Sequence, residues 1–275
     1  MISYKKIGHF GRLGNQMFQF ASTYGIANKL GYNIAFPLEN TEVPNIEEFK
    51  DGVTRKVYFD LPRIFNLSGN IIKPINEIKT KYQAQEPHFH FSDKLFTIPD
   101  ECDLSGYYQS EEYFIHCQED IRRLFTFKKE VSQLAKEKFP KLDYKTVSIH
   151  IRVGDYIGLQ DYHPICSPEY YHKAIQYFLD DNYYFLIFSD NIEYSKNIFG
   201  ESENILYING NTAEVDMCMM SMCNHNIIAN SSFSWWSAWL NINMDKKVVA
   251  PKKWFGPAYY FQNTKDLYPK SWIIE

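Results

Sequence analysis

The chain has no long hydrophobic run, no cysteine pairing pattern and little arginine, and each shortage removes a class of protein. Nowhere in its 275 residues do apolar side chains continue for the roughly 20 positions that a membrane-spanning helix needs. The start, Met1-Ile2-Ser3-Tyr4-Lys5-Lys6 followed by Gly8, His9 and Gly11, lacks the apolar stretch of a secretory signal. Five cysteines, Cys102, Cys117, Cys166, Cys218 and Cys223, are odd in number and contain no C-x-x-C pair, which fits neither a disulfide framework nor a zinc ribbon. Reduced thiols in the cytoplasm are expected, with peripheral contact at the inner face of a membrane that carries the substrate left open. Basic side chains do not exceed acidic ones, 29 against 33, so nucleic acid is disfavoured as a partner. Arginine occurs only at Arg12, Arg55, Arg63, Arg122, Arg123 and Arg152. With arginine this scarce, one inside a motif stands apart from ordinary surface charge, which singles out Arg12 and Arg152.

What is present is the composition of a globular protein, 45% hydrophobic and 23% charged, long enough for one large or two medium domains. Ser3 to Gly8 reads as a strand and Gly11-Arg12-Leu13-Gly14-Asn15-Gln16 as a glycine loop entering a helix. In that helix Met17, Phe20, Ala21, Tyr24 and Ala27 recur at the spacing of a buried face. Gly31 stops it and Tyr32 to Phe36 resumes as strand. From Pro37 to about Phe125 no period is sustained, and a less regular half with inserted loops is expected. Beyond it, Val147, Ile149 and Ile151 alternate as a strand, with Ser148, His150 and Arg152 on the opposite face. Ser167-Pro168-Glu169 opens a helix running to about Asp181. A strand at Tyr183 to Phe188, a helix at Glu193 to Phe199, a strand at Ile205 to Ile208, a helix at Ala213 to Cys223, a strand at Asn226 to Ala229, a Trp-rich helix and a strand at Val248 to Ala250 follow. Strict alternation predicts a parallel sheet covered on both faces.

The residues that carry chemistry fall at predicted strand ends: His150 and Arg152, Ser189 and Asp190, and Asn230-Ser231-Ser232-Phe233. Open α/β sheets bind nucleotides there. The last segment enters an apolar helix and so offers hydroxyls and backbone N–H groups to an anion, although Ser and Asn also cap ordinary helices. Arg152 can grip a diphosphate with paired hydrogen bonds; the alternative is a structural Arg152–Asp155 ion pair beside a satisfied His150. Gly11-x-x-Gly14 lets backbone approach a ligand but equally suits a plain turn, and it is neither the dinucleotide fingerprint nor a Walker loop. There is no D-x-D triplet to hold a divalent ion against a sugar nucleotide, so no metal and no cofactor are expected. His88 and His90 lack the companions of a metal site.

Three blocks in order, Gly11-Arg12-Leu13-Gly14-Asn15-Gln16-Met17-Phe18-Gln19, His150-Ile151-Arg152-Val153-Gly154-Asp155-Tyr156 and Ile227-Ile228-Ala229-Asn230-Ser231-Ser232-Phe233-Ser234-Trp235-Trp236, resemble the α-1,2-fucosyltransferases of glycosyltransferase family 11. The resemblance implies a GT-B-like α/β fold of two Rossmann-like domains facing a cleft, an acceptor-side domain over 1–125 and a donor domain over 126–275. It implies inverting, metal-independent transfer of L-fucose from GDP-β-L-fucose to the 2-hydroxyl of a terminal galactoside, as in assembly of bacterial surface polysaccharide, with a lipid-linked glycan as one route to a membrane. Residue by residue it places Arg152 on the diphosphate, Asp216 on guanine and Ser232 on phosphate, with Gly11, Gly14, Asn15, Gln16, His150, Ser189, Asp190, Asn230, Ser231 and Phe233 lining the substrate. Val153 stands where many members have a second arginine, and only the start of the middle motif is kept at Ser189-Asp190. Asp155 is the first choice of general base and His163 the second. The alternatives are a fucosyltransferase of another linkage and a non-catalytic sugar-binding protein.

Overall fold

The computed structural model describes residues 1–42, 44, 46–50, 53–67, 69–179 and 182–275, with the backbone alone at 46–50, 53–55 and 69. The chain forms two compact units, Met1–Lys128 with Gln262–Pro269 and Lys129–Phe261 with Lys270–Glu275. The late return of 262–269 to unit 1 has no counterpart in the division at 125/126 expected from sequence.

In unit 1 five parallel strands, β1 (Ile2–Ser3), β2 (Ile34–Pro37), β5 (Ile72–Lys73), β6 (Tyr82–Gln85) and β7 (Cys102–Ser105), run in the order β5-β2-β1-β7-β6. An antiparallel hairpin, β3 (Ile46–Lys50) and β4 (Val53–Val57), stands apart. The strand expected to reach Gly8 stops at Ser3, because the Lys5 N–H turns to Asp103 Oδ1 at 2.8 Å and Gly8 and Gly11 take φ of +85° and +84°. Helix α1 (Leu13–Leu30) ends where Gly31, at φ +71°, turns its N–H back on the Ala27 and Asn28 carbonyls. It is buried on more than one face: Met17, Phe18, Phe20, Ala21 and Ile26 are all inaccessible, and a Cβ at Gly25 would lie 2.1 Å from the Tyr113 carbonyl. The short helices α2 (Glu39–Glu42), α3 (Leu61–Ile64) and α4 (Gln118–Leu124) complete the unit. The stretch read as irregular supplies β5, β6 and β7, strands too short to show a period of two.

Unit 2 begins with α5 (Lys129–Lys138) and alternates β8 (Lys145–Ile151), α6 (Pro168–Ile175), β9 (Tyr183–Ser189), α7 (Ile192–Phe199), β10 (Ile205–Ile208), α8 (Ala213–Met222), β11 (His225–Ile227), α9 (Ser232–Leu240), β12 (Val248–Ala250) and β13 (Ile273–Ile274). All six strands are parallel, in the order β10-β9-β8-β11-β12-β13. Ser167 Oγ accepts from the Tyr170 N–H with Pro168 at the first helical position, as expected, but the α-helix gives way to a 3₁₀ turn at Gln176; the end expected at Asp181 lies outside the described residues. From Thr146 to Ile151 β8 is buried on both faces, the mark of a central parallel strand. One face is filled by Val147, Ile149, Ile151, Tyr171, Ala174 and Phe178. Trp235 and Trp236 are wholly buried and Trp239 is 3% exposed, so the tryptophans of α9 are core and not sugar-stacking platforms.

Both sheets have a topological switch point. In unit 2 the chain moves from β8 through β9 to β10, then restarts on the other side of β8 with β11. Loops after β8 and β11 therefore leave toward opposite faces and open a crevice at the strand ends. In unit 1 the same reversal falls between β1 and β7.

Candidate active site

Strand pairing places Ile151 beside Ser189 and Ile149 beside Ile227. The residues that follow β9, β8 and β11 therefore emerge side by side: Asp190, Arg152, and Asn230 with Ser231. Arg152 is 20% exposed and sits between two carboxylates, Nη2 at 2.5 Å from Asp155 Oδ1 and Nη1 at 2.7 Å from Asp190 Oδ2. The Arg152–Asp155 pair raised as the structural alternative is thus present, and the second carboxylate is an addition to it. Asp190 Oδ1 also accepts the Val153 and Gly154 N–H groups at 2.9 and 3.1 Å. A Cβ at Gly154 would fall 2.6 Å from Asp190 Oδ2, so glycine is what lets this carboxylate close on both the backbone and the guanidinium. Ser189 Oγ is taken up by the turn, accepting from the Asn191 N–H and donating to its carbonyl.

His150 is 6% exposed, and its Nδ1 has no hydrogen-bond partner. Burial, reinforced by Arg152 and opposed by Asp190, drives its pKa down to about 4, leaving a neutral imidazole at pH 7. Its carbonyl is held by the Tyr171 hydroxyl at 3.1 Å, and its ring meets Phe233 at 5.4 Å. Phe233 lies in the first turn of α9, so the imidazole stands at that helix's N-terminus. Ser231 occupies the cap position without making a side-chain cap. A helix of this length presents first-turn N–H groups suited to an anion. Asn230 points inward: its amide donates to the Pro164 and Trp254 carbonyls at 2.9 and 3.0 Å, and its own carbonyl accepts from the Tyr156 hydroxyl at 3.0 Å.

Tyr156 joins the pieces. Its ring lies 5.6 Å from the Arg152 guanidinium, within cation–π range, and stacks on His163 at 5.3 Å. His163 is further enclosed by Phe255 and Tyr259, and burial lowers its pKa. Sequence reasoning gave Tyr156 no role of its own; its position directly after Asp155 was the available signal. Asp216 lies in the first turns of α8, which follows β10, two strand spacings or about 10 Å across the sheet from β8. Its Oδ1 accepts from Asn211 Nδ2 at 2.9 Å, and Lys138 Nζ donates to Asn211 Oδ1 at 2.7 Å. Burial outweighs these partners and raises the Asp216 pKa to about 6.

Gly11, Gly14, Asn15 and Gln16 belong to unit 1, at the start of α1. Gln16 is fully buried and spans the Tyr58 carbonyl and the Asp60 N–H at 2.7 and 2.9 Å, which makes it a brace. Asn15 Oδ1 accepts from Gln109 Nε2 at 2.9 Å. At Gly11 a Cβ would lie 2.0 Å from Asn15 Nδ2. Gly14 is buried inside the first turn of α1. Among the described residues no group of three His, Cys, Asp or Glu side chains has the arrangement of a metal site, and no helix is long and apolar enough to cross a membrane.

Two parallel doubly wound units of this kind define a GT-B-like α/β fold. It is shared with the solved structures of NodZ α-1,6-fucosyltransferase co-crystallized with GDP (TM-score 0.52, 14% identity, 87% of this chain and 91% of that one) and POFUT1 in complex with GDP (TM-score 0.52, 13% identity, 86% and 92%). The chain belongs to glycosyl transferase family 11, whose model matches residues 3–275, and is accordingly a glycosyltransferase. It is 32% identical to the α-1,2-colitosyltransferase of Escherichia coli over 96% of both chains. Human galactoside α-(1,2)-fucosyltransferase 1 is 24% identical over 84% of this chain and 63% of that protein.

Proposed function

We propose that the protein transfers L-fucose from GDP-β-L-fucose to the 2-hydroxyl of a terminal galactoside, inverting the anomeric centre and using no metal or cofactor. The observation that carries this reading is the convergence of Arg152, the neutral His150 and the N-terminus of α9 on the switch point between β8 and β11. In the reaction the acceptor oxygen bonds to C1 of fucose from the face opposite the diphosphate, the C1–O bond to phosphate breaks, and the electron pair leaves with GDP. Charge then grows on the diphosphate, where Arg152, the α9 N–H groups and the Ser232 hydroxyl stabilise it more strongly than in the ground state. Asp216, about a nucleoside's length away across the sheet, receives the adjacent N1–H and amino donors of guanine. Asp190 is a positioning residue that aims the guanidinium. A diphosphate entering here must share Arg152 with Asp155 and Asp190. Asp155, in contact with the guanidinium, is therefore poorly placed to act as a free base.

Neighbouring solved structures hold GDP or GDP-fucose, which supports the donor, and relatives named for α-1,2 transfer support the linkage. The colitosyltransferase relative supports a second reading, a colitosyl donor. Colitose is L-fucose without its 3-hydroxyl, so competition between the two GDP-sugars decides, because a site that hydrogen-bonds this hydroxyl rejects the sugar lacking it. On the fucosyl reading the protein meets its acceptor in the cytoplasm, at the inner membrane face where the glycan is lipid-linked. The test is an acceptor screen with GDP-fucose over lactose and N-acetyllactosamine chains, with linkage analysis, run with and without EDTA. An α-1,2-fucoside formed at the same rate in chelator is expected. Activity lost in EDTA and restored by manganese or magnesium would overturn the metal-free mechanism.

A further inference from the structure

We propose that a ridge of aromatic rings in unit 2, Tyr162, Tyr259, Tyr260 and Phe261, is the surface on which the acceptor saccharide lies. The inference rests on the donor layout proposed above. There guanine lies at α8, after β10, and the diphosphate at Arg152 and the N-terminus of α9, after β8 and β11. The strand order β10-β9-β8-β11-β12-β13 makes that a single direction across one sheet. The transferred sugar, and the acceptor that attacks it from the face opposite the diphosphate, therefore belong farther along, over the residues that leave β12.

Those residues carry the rings. From Arg152 the contacts run through Tyr156 to His163, and from His163 to Tyr259 at 5.8 Å. Tyr259 meets Tyr162 at 5.1 Å and Phe261 at 6.1 Å, and Phe261 meets Tyr260 at 5.8 Å. Exposure rises along the way: Tyr156, His163 and Tyr259 are half-buried, whereas Tyr162, Phe261 and Tyr260 are 45, 63 and 87% exposed. Apolar surface left open beside a site marks a place of interaction. The ridge is also held before anything binds. Gly256 N–H donates to the Tyr162 carbonyl at 2.9 Å and Ala258 N–H to the Asp161 carbonyl at 2.8 Å, stitching the loop after β12 to the loop after β8. The Asn230 amide donates to a carbonyl of each loop. A Cβ at Gly256 would fall 2.3 Å from the Asp161 carbonyl oxygen, so glycine is what permits the approach. A preformed surface of this kind costs its ligand little in ordering.

The chemistry selects a neutral polyol. No Lys or Arg occurs from 153 to 172 or from 254 to 264, so these segments lack the basic side chains that hold anionic lipid or nucleic acid. Among the described residues the hydroxyls of Tyr162, Tyr259 and Tyr260 have no hydrogen-bond partner. A pyranose presents C–H groups on its faces and hydroxyls round its edge; aromatic faces take the first and phenol hydroxyls the second. A galactoside suits such a ridge, because its axial 4-hydroxyl leaves the opposite ring face largely to C–H groups.

The test is Tyr162→Ala, Tyr260→Ala and Phe261→Ala, beside the ring-keeping Tyr162→Phe, Tyr260→Phe and Phe261→Tyr, assayed with GDP-fucose and lactose or N-acetyllactosamine. The alanine variants should raise the acceptor KM by about 10-fold and change kcat by less than about threefold. The ring-keeping variants should stay within about threefold of wild type in both, with GDP affinity by calorimetry unchanged in all six. Saturation-transfer NMR on the GDP-loaded protein reads the contact without turnover: saturation of aromatic protons should pass to lactose C–H protons, and much less in the alanine variants. Acceptor KM within about twofold of wild type in all three alanine variants would overturn the proposal, as would an equal rise in the GDP-fucose KM. So would anionic phospholipid vesicles that pellet the unmodified protein but not variants of unchanged acceptor KM, an outcome that gives the ridge to a lipid surface. No saturation transfer in the unmodified protein overturns it even where a variant does not fold. Saturation transfer without fucosyl transfer would instead sink the reaction proposed above and leave the ridge a saccharide site.

Discussion

Asp216→Asn separates what this residue does for the donor from what it does to the fold. Lifting an aspartate from 3.8 to about 6 by burial means that the folded state carries the ionised carboxylate at a disadvantage of about 3 kcal/mol at neutral pH. The group is only half-buried and its surroundings relax, so a gain of roughly 1–2 kcal/mol is the realistic expectation for the neutral amide. Asparagine keeps an oxygen for Asn211 Nδ2. The sign follows from proton binding: the native state holds the Asp216 proton more tightly than the unfolded chain, so the penalty is fully present above pH 6 and disappears as pH falls through 6 toward 3.8. Asp216→Asn should therefore melt higher than wild type by about 2–6 °C at pH 7.5, and the two curves should converge by about pH 4. GDP binding should weaken at the same time by roughly 10- to 100-fold, since a charge-assisted acceptor is worth about 1.5–3 kcal/mol. Thermal melts across pH and titration calorimetry with GDP and ADP measure both. A variant that melts lower than wild type at pH 7.5, or one that binds GDP as tightly, would refute a strained carboxylate kept for the guanine base.

Arg152→Lys keeps the charge but loses the planar fork that holds Asp155 and Asp190 and that the proposed reaction directs at the diphosphate; kcat should fall by about 10²-fold or more with a smaller change in GDP-fucose affinity. Steady-state kinetics beside a thermal melt checks this, and near-wild-type turnover would leave the arginine a mere ion-pair partner. Asn230→Ala strands the Pro164 and Trp254 carbonyls in a buried corner and should cost about 2–4 kcal/mol. Chemical denaturation of the variant reads that loss, and stability within 0.5 kcal/mol of wild type would contradict the bracing role.

Where periodicity was strong the sequence was readable. β10 and β12 fall on the expected residues, α7 and α8 within a residue of them, and the strand-end cluster followed from counting residues past Ile149, Phe188 and Ile227. Alternation and capping are local, so they survive without tertiary information. The unit 1 strands β5, β6 and β7 were not legible because two to four residues cannot express a period. The extended reading of Tyr4 to Gly8 failed because a long-range bond from Lys5 to Asp103 overrides local preference.

The motifs themselves determined the family and the identity of Arg152, Asp216 and Ser232 as candidates. Only the tertiary structure decided how their neighbours are used. It bound Arg152 to two carboxylates, turned Asn230 and Gln16 into braces, left His150 neutral with an unpartnered nitrogen, and buried the tryptophans of α9. The physical reason is that a side chain's type is local, whereas its partners, its burial and hence its protonation are set by strands that meet only after folding.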